Sequence, residues 1–344
     1  MSGMSDMDIM KALEVQKARI WPELKKYLPD KGPSFFRSMV SDYPERGGKY
    51  LRAGLIMMAC EAFGGDSSKA VRTAAAMEAS QNWILIHDDI EDHSDERRGK
   101  PCLHKMVGME QAVNAGDALH IIMWKMLAEN RELMGQEQAF KVMDEFNAML
   151  LTTAEGQAVE MKWIEDKELK MTEQDYYDII DTKAGIYTVV GPMKLGAMIA
   201  GANGQTPQML ESFGMPFGRA FQIQDDVLNL TADPKKYGKE IGGDILEGKR
   251  TLMLVHLMEH CTEDERNIIK TIFSRPREQK VQGDVNFVLS LMKKYGSIEY
   301  AKQKSFEFAA KAQAIFDRDF AYLPETEAKQ GIRAAVDFVI KREL

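Results

Sequence analysis

Two short acidic runs hold the side chains best suited to chemistry in this sequence. The first is Ile86-His87-Asp88-Asp89-Ile90-Glu91-Asp92, and the second is Phe221-Gln222-Ile223-Gln224-Asp225-Asp226-Val227-Leu228-Asn229. On a helix, Asp88 and Asp92 stand one turn apart and project from one face, with Asp89 bordering it. Trp83-Ile84-Leu85-Ile86, just upstream, is apolar, so the helix carrying these acids runs into the core. Carboxylates crowded in this way repel one another unless positive charge compensates them. Hard oxygen ligands on one face suit Mg²⁺, which takes one or two carboxylates and fills its remaining positions with water or phosphate oxygens. A single cluster of this kind reads equally well as a solvated acidic helix end. The second run repeats the layout, an apolar stretch ending in paired acids. Two such clusters facing each other across a cavity can clamp a diphosphate through several metal ions.

An anion site also needs donors, and basic groups lie beside both clusters. Gly47-Gly48-Lys49-Tyr50-Leu51-Arg52 places a flexible turn before a helix start, where exposed backbone N–H groups favour phosphate. Arg97-Arg98-Gly99 follows the first acidic run, Lys183 sits mid-helix in Asp181-Thr182-Lys183-Ala184-Gly185, and Lys239 and Lys249 flank the loop after the second run. Any one of these reads first as a solvated surface cation. Their joint placement beside glycine turns and acidic clusters favours an anion site.

These residues must be positioned by helices. Ile9, Leu13, Ile20 and Leu24 mark a first helix, and helical periodicity continues over 49–64, 67–93, 109–130, 136–166, 172–201, 206–230, 248–260, 262–274, 283–294, 297–319 and 326–342. No convincing alternating strand pattern occurs. Pro29, Pro33, Pro44, Pro101, Pro234, Pro276 and Pro324 fall between patterns, whereas Pro192 and Pro216 fall inside them and predict kinks or breaks. The expectation is one all-α domain over residues 1–344, a large helical bundle. With 344 residues, 44% hydrophobic, the chain can bury a sizeable core. A formal net charge of -8 argues against a nucleic-acid partner. Met1–Met10 has no apolar signal core, and no stretch is apolar enough for a membrane span. Cys60, Cys102 and Cys261 are odd in number and scattered, which argues against a disulfide framework or zinc site and fits a reducing cytoplasm. The 24 methionines read as adaptable core filler.

The ordered set of motifs resembles the trans-isoprenyl diphosphate synthase family, the farnesyl and geranylgeranyl diphosphate synthases. It runs from Gly47-Gly48-Lys49 with Arg52, through His87-Asp88-Asp89-Ile90-Glu91-Asp92 and Arg97-Arg98-Gly99, to Gly156-Gln157, Lys183, Phe221-Gln222 with Asp225-Asp226, and Gly243-Asp244-Ile245 with Lys249. The resemblance implies the isoprenoid synthase helical bundle with a central cavity. It also implies condensation of isopentenyl diphosphate with an allylic prenyl diphosphate (dimethylallyl, geranyl or farnesyl), with those two substrates and a second copy of the chain, in a homodimer, as partners. Asp88 and Asp92, with Asp89 supporting, then resemble the ligands of two Mg²⁺ ions, and Asp225 that of a third, with Asp226 and Asp244 nearby. Arg97, Lys183, Lys249 and Lys239 resemble the cations on the allylic diphosphate. Lys49, Arg52, Arg98 and Gln81 resemble the pocket for isopentenyl diphosphate, and Gln222 offers its side-chain carbonyl near the reacting carbons. Tyr50, Ala53, Ala184 and Asn229 depart from the usual basic residue, proline, threonine and aspartate. The hydroxyl missing at Ala184 would either slow the chemistry or be compensated by Tyr187 or Thr188.

The implied reaction is ionisation, condensation and proton loss, with the departed diphosphate taking the proton. The loop around Lys239 and Gly242-Gly243, and the C-terminus from Lys341 to Leu344, are the expected lids. Product length in this family depends on bulk below the first acidic run. Trp83, five residues before Asp88 and roughly 7 Å down the axis, and Ile84 would form the floor. They imply a short product, farnesyl or geranylgeranyl diphosphate, with small Ser80 one turn deeper as a point of leakage. Two other readings compete. A class I terpene cyclase shares such an acidic motif but lacks the isopentenyl pocket. A non-catalytic partner subunit should have lost metal ligands, and here both Asp pairs are kept.

Overall fold

A computed structural model of the chain describes residues 9–232 and 241–341. Its helices in chain order are α1 (Ile9–Tyr27), α2 (Ser34–Glu45), α3 (Leu51–Ala62), α4 (Val71–Glu91), α5 (Leu103–Val107), α6 (Met109–Glu129), α7 (Arg131–Met134), α8 (Gln136–Glu165) and α9 (Glu173–Ile180). A π-helical segment, Asp181–Val190, leads into α10 (Gly191–Ile199) and then α11 (Thr206–Thr231). After the undescribed stretch come α12 (Gly243–Glu247), α13 (Leu252–His260), α14 (Glu263–Phe273), α15 (Gln282–Lys294), α16 (Ser297–Asp319) and α17 (Glu327–Lys341). The all-α expectation holds. No described helix is long and apolar enough to cross a membrane.

Local sequence explains most of these limits. Capping boxes start α9 at Thr172 with Asp175, and α14 at Thr262 with Glu265, each satisfying backbone donors that a helix start leaves bare. Along α4, Ala74, Ala75, Ala76, Met77 and Ala79 are all buried, so that helix passes through the interior rather than over it. It packs against α6, α3 and α1, while α11 packs against the π-helical segment and α16, and α3 against α10. Neighbour by neighbour, α3, α6, α8 and the π-helical segment thus connect α4 to α11. Met57, Met77, Met123, Met126 and Met149 lie in the core cluster between α3, α4, α6 and α8, in keeping with the reading of methionine as filler.

Four features depart from expectation. The helix foreseen over 172–201 is three pieces, because the backbone widens into π geometry from Asp181 to Val190 before α10 begins. Pro192 falls in the first turn of α10, where its missing N–H costs least. Pro216 does not break α11, which runs on to Thr231 with Phe213 and Phe217 buried on either side against Phe316 and Phe320 of α16 and its C-terminal end. Pro44 lies in the last turn of α2, not between elements. Finally, Glu96–Arg97 (β1) pairs antiparallel with Lys100–Pro101 (β2). These strands are too short to leave an alternating pattern. Arg98 and Gly99, both with positive φ (54° and 72°), form the two-residue turn that joins them.

Candidate active site

Asp88 and Asp92 close the C-terminal end of α4, Asp92 as its cap residue. Asp92 accepts a hydrogen bond from Lys249 Nζ at 2.8 Å. Burial, with Asp88 and Glu247 nearby, pushes the Asp92 carboxyl up to about 7 against the pull of Lys249. Asp89 is fully buried, and both its oxygens are engaged: Oδ1 by the Arg97 guanidinium, Oδ2 by the Tyr43 hydroxyl at 2.5 Å. Arg97 also lies 3.4 Å from Asp88. The hairpin therefore locks to α4 through a buried ion pair, which fixes where Arg97 and Arg98 stand.

On α11, Asp226 is buried and accepts hydrogen bonds from the Tyr176 hydroxyl and from Gln222 Nε2, both at 2.8 Å. Burial and the adjacent Asp225 raise its carboxyl to about 7. With its amide nitrogen spent on Asp226, Gln222 keeps its carbonyl oxygen free of that bond. Asn229 has a structural task here: its Oδ1 accepts from the Asp244 backbone N–H at 3.2 Å, and its carbonyl from Gly242 N–H at 2.8 Å. It pins the start of α12 back onto α11.

Lys249 ties the end of α4 to α12, the short helix that follows α11. Its Nζ lies 2.8 Å from Asp92, 2.8 Å from Glu247 and 3.9 Å from Asp244. Burial would pull this ammonium down, but Asp92, Glu247 and Asp244 hold it well above its ordinary range. Lys183, on the π-helical segment, pairs with Glu160 of α8 and senses Asp88. A Cβ at Gly156 would meet Thr182 and Lys183, so a glycine there lets α8 come close enough for that pairing. Asp88, Asp92, Asp226, Lys183 and Lys249 are thus brought together in one electrostatic neighbourhood.

A second group of cations lies beside the first. Arg98 Nη1 donates to the Tyr43 carbonyl at 2.9 Å and to Asn82 Oδ1 at 3.0 Å. Arg52 Nη2 donates to the Thr188 hydroxyl at 2.8 Å, and its guanidinium lies 5.0 Å from the centre of the Tyr187 ring. Thr188 and Tyr187, on the same π-helical segment as Ala184, are thus both engaged with Arg52. Arg52 Nε and Gln81 Oε1 are buried polar atoms with no hydrogen-bond partner among the described residues, which fits a pocket completed by a polar ligand. Lys49 is exposed, with Nζ 5.2 Å from the Phe338 ring centre. Tyr50 is buried in left-handed backbone (φ 56°) at the start of α3. Lys239 lies outside the described residues, as do Arg342, Glu343 and Leu344 of the expected C-terminal lid.

Sequence reasoning missed Lys17, Glu78, Glu160 and Tyr176. Lys17 sits 5.6 Å from the Tyr50 ring centre and senses, with Arg52 and Arg98, the buried carboxyl of Glu78. Its signal was one lysine on an amphipathic helix, which spacing alone cannot distinguish. Below Asp88, Trp83 stacks on His120 of α6 at 4.2 Å and donates to His87 Nδ1 at 3.3 Å. Ile84 is half-buried beside the same core. Ser80 is buried, and its hydroxyl lies 2.7 Å from that of Tyr187, so a tyrosine closes the space that its small size leaves.

No three acidic, histidine or cysteine side chains among the described residues converge as a closed metal cage. The donor set nonetheless fits Mg²⁺. It offers hard carboxylate oxygens in ones and twos, on two helices, with raised carboxyl groups at Asp92 and Asp226 that a divalent cation would relieve. A diphosphate would complete the coordination.

The polyprenyl synthetase family model matches residues 33–292. A geranylgeranyl diphosphate synthase of Sulfolobus acidocaldarius is 34% identical over 279 residues, 81% of this chain and 82% of that one. Among solved structures, a geranylgeranyl pyrophosphate synthetase from Pyrococcus horikoshii superposes with a TM-score of 0.85 at 32% identity, covering 97% of this chain and 98% of its own. A geranylgeranyl pyrophosphate synthase from Corynebacterium glutamicum, in complex with isoprenyl diphosphate and magnesium, gives 0.87 at 25% identity, covering 98% and 100%.

Proposed function

Since the chain belongs to the polyprenyl synthetase family, we propose that the two cation groups flanking its acidic helices hold two different diphosphates for carbon–carbon bond formation. The chain is a prenyltransferase that condenses isopentenyl diphosphate with an allylic prenyl diphosphate. The observation that carries the site assignment is the convergence of Arg97, Lys183 and Lys249, from three separate elements, on Asp88, Asp89 and Asp92.

Asp88 and Asp92 on one side, and Asp225 with Asp226 on the other, would hold Mg²⁺, three ions in all, with Asp89 supporting from below. Bound there, the metal supplies charge neutralisation for the leaving diphosphate. Lys183, Lys249 and Arg97, joined by Lys239, hold the allylic diphosphate and accept its developing charge. Lys49, Arg52, Arg98 and Gln81 orient isopentenyl diphosphate so that its double bond faces the allylic carbon. Gln222 turns its carbonyl oxygen toward the cation that forms. The enclosing helices exclude water, which would quench that cation. The proton lost after condensation passes to the departed diphosphate.

The stack of Trp83 on His120, with Ile84 beside it, supports a short product, farnesyl or geranylgeranyl diphosphate. One polyprenyl synthetase domain over residues 1–344, acting as a homodimer in the cytoplasm, completes the reading. It is supported by three buried cysteines that are all unpaired and by apolar side chains left exposed on α6 and α8. The test is to incubate purified protein with Mg²⁺, isopentenyl diphosphate and each allylic primer in turn, then chromatograph the products. Elongated prenyl diphosphate is expected, and its absence with every primer would overturn the reading.

A further inference from the structure

Glu247 has no part in the chemistry above, yet it grips an ammonium that the chemistry uses. It ends α12, just before the Gly248 turn that leads to Lys249, and its side chain is only 10% exposed. Its two carboxylate oxygens serve different partners. Oε2 lies 2.8 Å from Lys249 Nζ, whereas Oε1 accepts from the Ser94 hydroxyl at 3.3 Å and lies 3.6 Å from Arg277 Nη1. Arg277 opens a 3₁₀ turn, Arg277–Gln279, in the connector between α14 and α15. Its side chain is as buried as that of Glu247, and its Nη2 lies 3.5 Å from Asp95, in the segment that follows α4. Lys280, at the end of the same turn, donates to the Leu246 carbonyl at 2.7 Å. A Cβ at Gly248 would meet Lys280 Nζ at 3.2 Å and Arg250 Nη1 at 3.3 Å, so the end of α12 is pressed against this connector. A continuous chain of contacts thus runs from the connector, through Arg277 and Glu247, to Lys249.

Resting on the reading of Lys249 as a cation of the allylic diphosphate, we propose that Glu247 is the positioning residue for Lys249: anchored by Arg277 and Ser94, its carboxylate keeps the ammonium in place for the diphosphate when Asp92 turns to the metal. An ammonium has three N–H donors. Asp92 and Glu247 take two of them at 2.8 Å, while Asp244, at 3.9 Å, lies beyond hydrogen-bond reach. Lysine is a point charge on a long flexible stem, so an ammonium released by Asp92 would wander unless a second partner held it. Holding it beforehand removes an ordering cost from the binding step. The Glu247 charge on its own would repel a diphosphate, but Arg277 stands on its far oxygen and offsets it.

The test measures calorimetric binding of an allylic thiolodiphosphate, which does not ionise, in the presence of Mg²⁺. Glu247→Ala should bind it about tenfold more weakly, the loss expected for one charge-assisted hydrogen bond. Glu247→Gln keeps an acceptor oxygen and should fall between that variant and the wild type. In a Lys249→Ala background, adding Glu247→Ala should cost less than about twofold more, because Glu247 acts through that ammonium. Arg277→Met should weaken binding about threefold, and Arg277→Lys should restore most of it. In turnover, Glu247→Ala should raise KM for the allylic primer and leave KM for isopentenyl diphosphate within about twofold. Wild-type or tighter binding in Glu247→Ala, or an undiminished further loss in the Lys249→Ala background, overturns the proposal. If Glu247→Ala does not fold, Glu247→Gln decides, and wild-type or tighter binding there overturns it. Lys249→Ala binding the thiolodiphosphate as the wild type does would sink the assignment of Lys249 beneath the proposal. Weakened binding in Lys249→Ala beside unaltered Glu247 variants would sink the role of Glu247 alone.

Discussion

Trp83 stands five residues before Asp88 on α4, and its indole is held from two sides. His120 stacks on its face, while Trp124 donates to His120 Nε2 at 2.7 Å and steadies that ring in turn. Under the proposed assignment, a tail growing down α4 from Asp88 would meet this doubly held indole. Trp83→Ala should therefore shift the main product upward by at least one isoprene unit, read by chromatography, at a stability cost of about 2–3 kcal/mol for a half-buried indole. An unchanged product distribution would remove Trp83 from the floor. The position of Trp83 was legible because helical spacing ties it to the acidic run. Its clamp was not, since His120 and Trp124 belong to another helix and nothing in their local pattern marks them. The same limit explains Lys17 and Glu78, whose meaning comes from neighbours on other elements.

The π-helical segment is the element on which the site most depends. It carries Lys183 toward Glu160 and Asp88, and Thr188 toward Arg52. It also packs on α11, the helix of Gln222, Asp225 and Asp226. The close point is Gly218 against Gly185, where a Cβ at 218 would strike the backbone of 185. Gly218→Ala must push the two elements apart. We expect a loss of about 1–3 kcal/mol, seen as a lower Tm, together with a reduced kcat as Lys183 and Gln222 lose register. An unaltered kcat in a destabilised protein would mean that this contact serves the fold alone. Apolar periodicity made the existence and span of α6, α8, α11 and α16 readable within a residue, whereas α4 starts four residues later than its pattern indicated. It could not reveal the change from α to π geometry, because the stretch from Ala184 to Ala197 is buried nearly all round and has no single apolar stripe whose period could shift.

At the scale of the whole molecule, two features look outward and inward. Outward, α6 exposes Val113 and Ile121, the latter at 68%, and α8 exposes Phe140 and Leu151, the latter at 60%. Large apolar side chains left on neighbouring helices suit a second copy of the chain. Ile121→Lys combined with Leu151→Lys should convert a dimer to a monomer in light scattering, and a wild type that is already monomeric would refute the homodimer. Oligomerisation was not readable from periodicity, since an apolar position looks the same whether its partner lies in this chain or the next. Inward, Lys249 joins the end of α4 to the segment after α11, gripping Asp92 while Asp244, hung on Asn229, stands behind it. Under the proposed assignment, a metal ion arriving alone finds Asp92 already taken, and a diphosphate arriving alone finds Lys249 already taken. Bound together they would let both groups change partners, Asp92 toward the metal and Lys249 toward phosphate. Asp92 and Lys249 would then answer to the two signals jointly, as a coincidence detector does, rather than to either by itself.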